Sequence, residues 1–185
     1  GNLCGGLIAQ KMGLPVAKFI AATNINDIVP KYLDSGIFQP APSIKTISNA
    51  MDVGNPSNFV RLRALFEQDE KTIKETIYGA AFTDKQTHHA IQDISATYEY
   101  TLDPHTAVGY LGLKKYFTDS QDKESLGVIL ATAHPSKFID VVEQSTGSKV
   151  MIPERLRILL NRKKMAIPIR NDLEQLKMVL LGLGK

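Results

Sequence analysis

Apolar positions recur at helical spacing near the start of the chain, where Leu7, Ile8 and Met12 precede Gly13 and Pro15. A glycine ends a helix by taking a left-handed backbone and a proline prevents its continuation, so the spacing predicts a helix over residues 2–12. Val16 to Thr23 is a nearly continuous apolar run, the pattern of a strand buried on both faces. Asn24-Ile25-Asn26-Asp27 follows and opens a short helix over 26–35 that stops at Gly36. Helix, buried strand and helix in this order predict an α/β fold with a mostly parallel sheet.

Gln39-Pro40-Ala41-Pro42-Ser43 reads as an extended loop, because each proline holds its predecessor out of helical space. Ser48 to Asn58 is polar and rich in turn formers, and an amphipathic helix is expected from Phe59 to Gln68. Lys71 to Tyr78 fits either helix or strand. Thr83-Asp84 caps a helix over 85–97, and Asp103-Pro104 opens another through Phe117, with the acceptor side chain at the cap and proline at the first helical position. Leu126 to Thr132 is the clearest strand signal in the chain, followed by the turn Ala133-His134-Pro135-Ser136 and a helical run to Gln144. Beyond Pro153 the chain is basic, is broken at Pro168 and ends in an apolar helix over 171–181. The 185 residues read as a single domain with a helical extension over 153–185.

Composition narrows the function classes. With 43% hydrophobic residues the chain can bury a core, and 22 Lys and Arg against 19 Asp and Glu leave a net charge of only +3. The basic residues are scattered apart from Arg162-Lys163-Lys164, so no nucleic-acid footprint follows. The apolar runs are far short of the roughly 20 residues needed to cross a bilayer, and no membrane role is expected. Cys4 is alone, so it forms no internal disulfide and is expected as a small buried hydrophobe in a reducing cytoplasm.

Three segments are candidates for chemistry. Gly1-Asn2 opens a helix, and N–H groups approached closely beside glycine bind phosphate; a helix start packed tightly on a strand is the bland reading. Thr132 closes the expected strand, where open α/β sheets bind ligands, and its hydroxyl suits either a ligand ring atom or a helix cap. His134 beside it reads as a structural hydrogen-bonding residue. The short amides and hydroxyls of Ser48 to Asn58 suit a carboxylate or phosphate, or else plain Asx turns. His88, His89, His105 and His134 form no pair at metal-ligand spacing on one helix face, so no metal is expected.

Three longer strings carry a resemblance. Gly-Asn-Leu-x-x-Gly-Leu-Ile-Ala-x-Lys-Met-Gly-Leu-Pro, Phe-Ile-Ala-Ala-Thr-Asn-x-Asn-Asp-x-Val-Pro and Ser-Asn-Ala-Met-Asp-Val-Gly-Asn-Pro-Ser-Asn resemble the threonine synthases, as do the blocks Asp103 to Tyr110 and Leu130 to Phe138. The likeness is ordered, covers at least residues 1–140 and is closest to the longer bacterial and fungal form. It implies the three-layer, mostly parallel fold of the tryptophan synthase β-like pyridoxal-phosphate enzymes (fold type II). It also implies a C-terminal part of a lyase that converts O-phospho-L-homoserine and water to L-threonine and phosphate, with pyridoxal 5'-phosphate as cofactor.

The family's cofactor-phosphate loop has the form Ser/Thr-Gly-Asn-Phe-Gly-Asn/Asp, and Gly1 and Asn2 match two of its positions. Thr132 matches the family's hydroxyl that bonds the pyridine nitrogen. Asn49 and Asp52 are substrate-binding candidates. The family's Schiff-base lysine, in a Ser-Phe-Lys-Asp type of motif, has no counterpart in these residues. The resemblance therefore implies that catalytic machinery lies outside this chain, that its partner is the remainder of the same polypeptide, and that the isolated chain is inactive. A non-catalytic binding or assembly module, or another fold type II lyase, are the alternative readings.

Overall fold

The structure is a computed structural model that describes residues 1–160 and 162–182. Asn161 and the last three residues of the expected 153–185 extension lie outside the described residues. The chain divides into two compact units, Gly1–Met151 and Ile152–Lys185. In the second, α8 (Glu154–Leu160) and α9 (Leu173–Leu180) are short helices, α9 capped by Asp172 Oδ1, which accepts from Glu174 N at 3.0 Å. Among the described residues no helix is long and apolar enough to cross a membrane.

The first unit is built on two parallel strands, β1 (Phe19–Thr23) and β2 (Ile77–Ala81), paired in register from Phe19 opposite Ile77 to Thr23 opposite Ala81. Successive side chains of a strand point to opposite faces, and each face here receives its own helices. On one face α1 (Asn2–Lys11) and α2 (Ile28–Ser35) approach closely: a Cβ on Gly6 would stand 2.7 Å from the Phe19 ring, and one on Gly79 would stand 2.9 Å from Leu33 Cδ1. On the other face α6 (Pro104–Ser120) lies so near that a Cβ on Gly112 would stand 2.6 Å from Ala22 Cβ. Helices, sheet and helices make the three layers that the resemblance implies.

Local chemistry sets the helix ends. Gly36 ends α2 with φ +79, and Thr83 and Gln86 form a reciprocal capping box at the start of α5 (Asp84–Tyr98). The Asp103 carboxylate accepts from His105 N at 2.9 Å at the start of α6. One core cluster, which includes Cys4, Leu7, Leu33 and Ile77, lies under α1, α2 and α3 (Phe59–Leu65), with Phe59 stacked on Phe38 at 3.8 Å and edge-on to Tyr32 at 4.6 Å. On the opposite side Ile91, Ile94, Ala107 and Val142 join α5 and α6 to α7 (Ile139–Thr146). The ambiguous stretch 71–78 resolves into α4 (Glu70–Thr76), capped by Asp69, and β2 directly after it.

The run Leu126 to Thr132, expected as the clearest strand, is irregular chain. Among the described residues it joins no ladder, and Leu126, Val128 and Leu130 are 95%, 79% and 62% exposed. It runs back along α6: a Cβ on Gly127 would meet Leu113, and Ile129 lies against Gly109. An apolar, β-branched run has the composition of a strand, but a strand exists only where a neighbour takes its backbone hydrogen bonds. Thr132 therefore closes no strand here.

Candidate functional site

The carboxyl end of β1 opens directly into a buried polar cluster. Asn24, the residue after the strand, is 1% exposed, and its amide nitrogen lies 2.7 Å from Thr46 Oγ1 and 2.9 Å from Asp52 Oδ1. Its Oδ1 accepts from Asn26 N at 2.9 Å and from Asn26 Nδ2 at 2.8 Å. Asn26 in turn reads the main chain of Ile44 twice, accepting from its N at 2.7 Å and donating to its O at 2.8 Å. Asp52 takes Thr46 Oγ1 at 2.7 Å on one oxygen and Thr46 N at 3.0 Å on the other. A buried polar group is stable only when its hydrogen-bonding capacity is met, and this cluster meets it by tying segment 44–52 to the end of β1.

Between Ser48 and Asp52 the chain makes a 3₁₀ turn, Asn49–Met51, with the Asn49 side chain exposed at its start. The turn is held from the start of α6: Ala50 N donates to His105 Nε2 at 3.1 Å, and Met51 packs against Ala80, Phe82 and Val108. The other ring nitrogen of His105, Nδ1, is 3.0 Å from Asp103 Oδ1, and the Thr106 hydroxyl donates to the second Asp103 oxygen. Asp103 is 2% exposed. Burial alone would raise its carboxyl, but the hydrogen bonds from His105 and Thr106 outweigh that and hold it below the usual carboxylate range.

Gly1 and Asn2 stand at the start of α1. The chain between α1 and β1 is short, and Gly6 packs on Phe19 at the beginning of β1, so α1 runs back against the strand and its first turn faces the strand's carboxyl end. No side chain caps this turn and no acidic residue lies in it. The nearest side-chain group to Gly1 is the Asn58 amide, whose Nδ2 would be 3.9 Å from a Cβ there, while Arg61 Nη1 donates to the Asn58 Oδ1 at 2.6 Å. Thr132 is exposed, and among the described residues its hydroxyl has no hydrogen-bond partner. His134 is spent locally: its Nδ1 accepts from Ser136 N at 3.1 Å and caps the 3₁₀ turn Pro135–Phe138.

The structure thus brings Asn49 and Asp52 into one segment at the end of β1, and the start of α1 faces the same end. No hydrogen bond links Thr132 to either group. Reading the sequence alone passed over Asn24, Asn26, Thr46 and His105. Asn24-Ile25-Asn26 immediately after a strand was the available signal, since short amide side chains at a strand end can hydrogen-bond neighbouring backbone as well as cap a helix.

Layered parallel α/β architecture, with its polar cluster at the carboxyl end of the sheet, is that of the fold type II pyridoxal-phosphate enzymes. Residues 106–180 match the family described as "Threonine synthase, C-terminal". The chain is 38% identical over 181 residues to the threonine synthase of Buchnera aphidicola subsp. Schizaphis graminum, and 37% identical over 183 residues to that of Serratia marcescens. Those alignments cover 98% and 99% of the chain but 41% of each relative. The crystal structure of threonine synthase from Escherichia coli superposes with a TM-score of 0.82 at 34% identity, covering 97% of this chain and 41% of that one. A threonine synthase from Brucella melitensis, solved with PLP bound, superposes with a TM-score of 0.78 at 27% identity, covering 97% and 43%. Over nearly its whole length the chain corresponds to the C-terminal portion of the threonine synthases, spanning about two-fifths of the length of the relatives it matches.

Proposed function

We propose that this chain is the C-terminal part of a pyridoxal-phosphate-dependent threonine synthase, a lyase that converts O-phospho-L-homoserine and water to L-threonine and phosphate. The observation that carries the reading is the likeness, over 97% of the chain, to threonine synthases that include one with PLP bound. When bound, the cofactor supplies the electron sink for chemistry at the amino-acid carbons.

The residues present fit such a group. The first turn of α1, ten residues long, uncapped and without an acidic side chain, leaves backbone N–H groups for a phosphate, and Gly1 lets it approach beside the Asn58 amide. In this reading Gly1 and Asn2 hold one edge of the cofactor phosphate. The free hydroxyl of Thr132 exchanges a hydrogen bond with the pyridine nitrogen as a neutral group, so no carboxylate drives ring protonation there. The exposed Asn49 amide binds an anionic end of the substrate. Asp52, with both oxygens engaged by Thr46 and Asn24, serves by fixing the segment that carries Asn49. The lysine that anchors the cofactor comes from the remainder of the same polypeptide in the cytoplasm, so the 185 residues alone are inactive.

The test is the full-length protein loaded with pyridoxal phosphate and given O-phospho-L-homoserine. Threonine and inorganic phosphate released in equal amounts support the reading; neither product, or phosphate without threonine, overturns it.

A further inference from the structure

The Asn49–Met51 turn is held in two independent ways. Its base is tied through Thr46, Ser48 and Asp52 to Asn24 at the end of β1, all within one stretch of chain. Its middle is tied to the start of α6 by the bond from Ala50 N to His105 Nε2, with Met51 packed beside it against Phe82 and Val108. The acceptor is built for that purpose. A backbone N–H can only donate, so Nε2 must carry the lone pair and the ring proton must sit on Nδ1, where Asp103 Oδ1 accepts it at 3.0 Å. Asp103 is fixed in turn by His105 N and the Thr106 hydroxyl, and the ring of Phe138 lies 4.9 Å from that of His105. His105 is itself 7% exposed, which leaves it little freedom to turn.

We propose that His105 is a positioning residue for substrate: it sets the orientation of the exposed Asn49 amide through Ala50 N–H, and Asp103 sets the tautomer that makes this possible. The proposal rests on the functional reading above, in which Asn49 faces the substrate. His105 touches neither substrate nor cofactor in it. The ring nitrogen facing the turn is already engaged, so the role is transmitted through the main chain.

Two conservative variants separate this role from a merely structural one. In His105→Gln the side-chain oxygen reaches the place of Nε2 and accepts from Ala50. In His105→Asn the amide reproduces the Nδ1–H toward Asp103 but is too short to reach Ala50. The full-length protein with pyridoxal phosphate is assayed for kcat and KM with O-phospho-L-homoserine, and amide exchange is followed in the peptide spanning 46–54. An unpaired amide and a loosened contact predict that His105→Asn raises KM about tenfold, changes kcat by less than about threefold and speeds exchange in 46–54, while His105→Gln stays near wild type in all three. Asn49→Ala raises KM likewise, and His105→Asn added to it raises KM by less than about twofold more, because the second change acts through the first.

Equal behaviour of the Gln and Asn variants, or multiplying effects of Asn49→Ala and His105→Asn, would overturn the proposal. If His105→Asn loses its cooperative melt, a KM of His105→Gln near wild type supports the proposal and a tenfold rise refutes it. A wild-type protein inert toward O-phospho-L-homoserine overturns the functional reading instead, and exchange in 46–54 then decides the tether on its own.

Discussion

Segment 44–52 and the run 126–132 both lead toward the carboxyl end of the sheet, and they do so in opposite physical states. The first is rich in hydroxyls and amides, yet it is fixed, because each buried polar atom of Asn24, Asn26, Thr46 and Asp52 has a partner on another turn of chain. The second is apolar and rich in β-branched residues, yet it lies open, with Leu126 and Val128 largely in solvent and no ladder among the described residues. In these 185 residues burial at this end thus follows satisfied hydrogen bonding rather than hydrophobicity. Apolar side chains supply driving force, but only directional partners give a segment one conformation.

The largest effect expected from this contrast is at Asp52. Asp52→Ala leaves Thr46 N–H without its acceptor and takes one acceptor each from the Asn24 amide and the Thr46 hydroxyl, and lowers stability by about 3 kcal/mol in equilibrium urea unfolding. Thr132→Val, in the open run, changes it by less than about 0.5 kcal/mol. Equal losses would abolish the distinction.

Glycines give a sharper steric version. A Cβ at Gly112 meets Ala22 Cβ at 2.6 Å between α6 and β1, where neither element can yield, so Gly112→Ala destabilises by about 2 kcal/mol. A Cβ at Gly127 meets Leu113 Cδ2 at 2.4 Å, but that atom is the tip of a half-buried α6 side chain and Gly127 itself lies on the open run, so Gly127→Ala shifts stability by less than about 1 kcal/mol.

The pH dependence distinguishes the two regions more gently. The Asp103 carboxyl is held below its ordinary value in the folded state, so its contribution is present above the unfolded value near pH 4 and is lost as pH falls through the lower folded value. Asp103→Asn therefore gives a protein less stable at neutral pH with a flatter acid limb, measured by thermal melts from about pH 6 to about pH 2. The smallest loss expected from breaking a hydrogen bond is at the local cap of Ser136: His134→Ala costs about 0.5–1 kcal/mol in the same melts and leaves segment 44–52 unchanged.

What could be read in advance follows the same division. Thr83 with Gln86, Asp103 with Pro104 and Gly36 were legible because a cap is decided by residues a few positions apart. β2 was not singled out, because Ile77 to Ala81 abuts α4 without a break and its partner lies 58 residues away, as the pairing of Phe19 with Ile77 records. Leu126 to Thr132 failed for the converse reason: its composition is that of a strand, while pairing is non-local and cannot be read from composition. Asn24-Ile25-Asn26-Asp27 reads as the opening of a helix, and only the folded chain brings Thr46, Ser48 and Asp52 to Asn24. The family was legible from long ordered strings, which needed no knowledge of any contact.

The most direct test of the central claim is the near-ultraviolet and visible spectrum of the protein purified from its own source, followed by borohydride reduction and mass analysis of the product. The account predicts a polypeptide longer than these 185 residues that carries one pyridoxyl group, on a lysine outside them. A 20.4 kDa chain without an adduct, or an adduct on a lysine within residues 1–185, would contradict it.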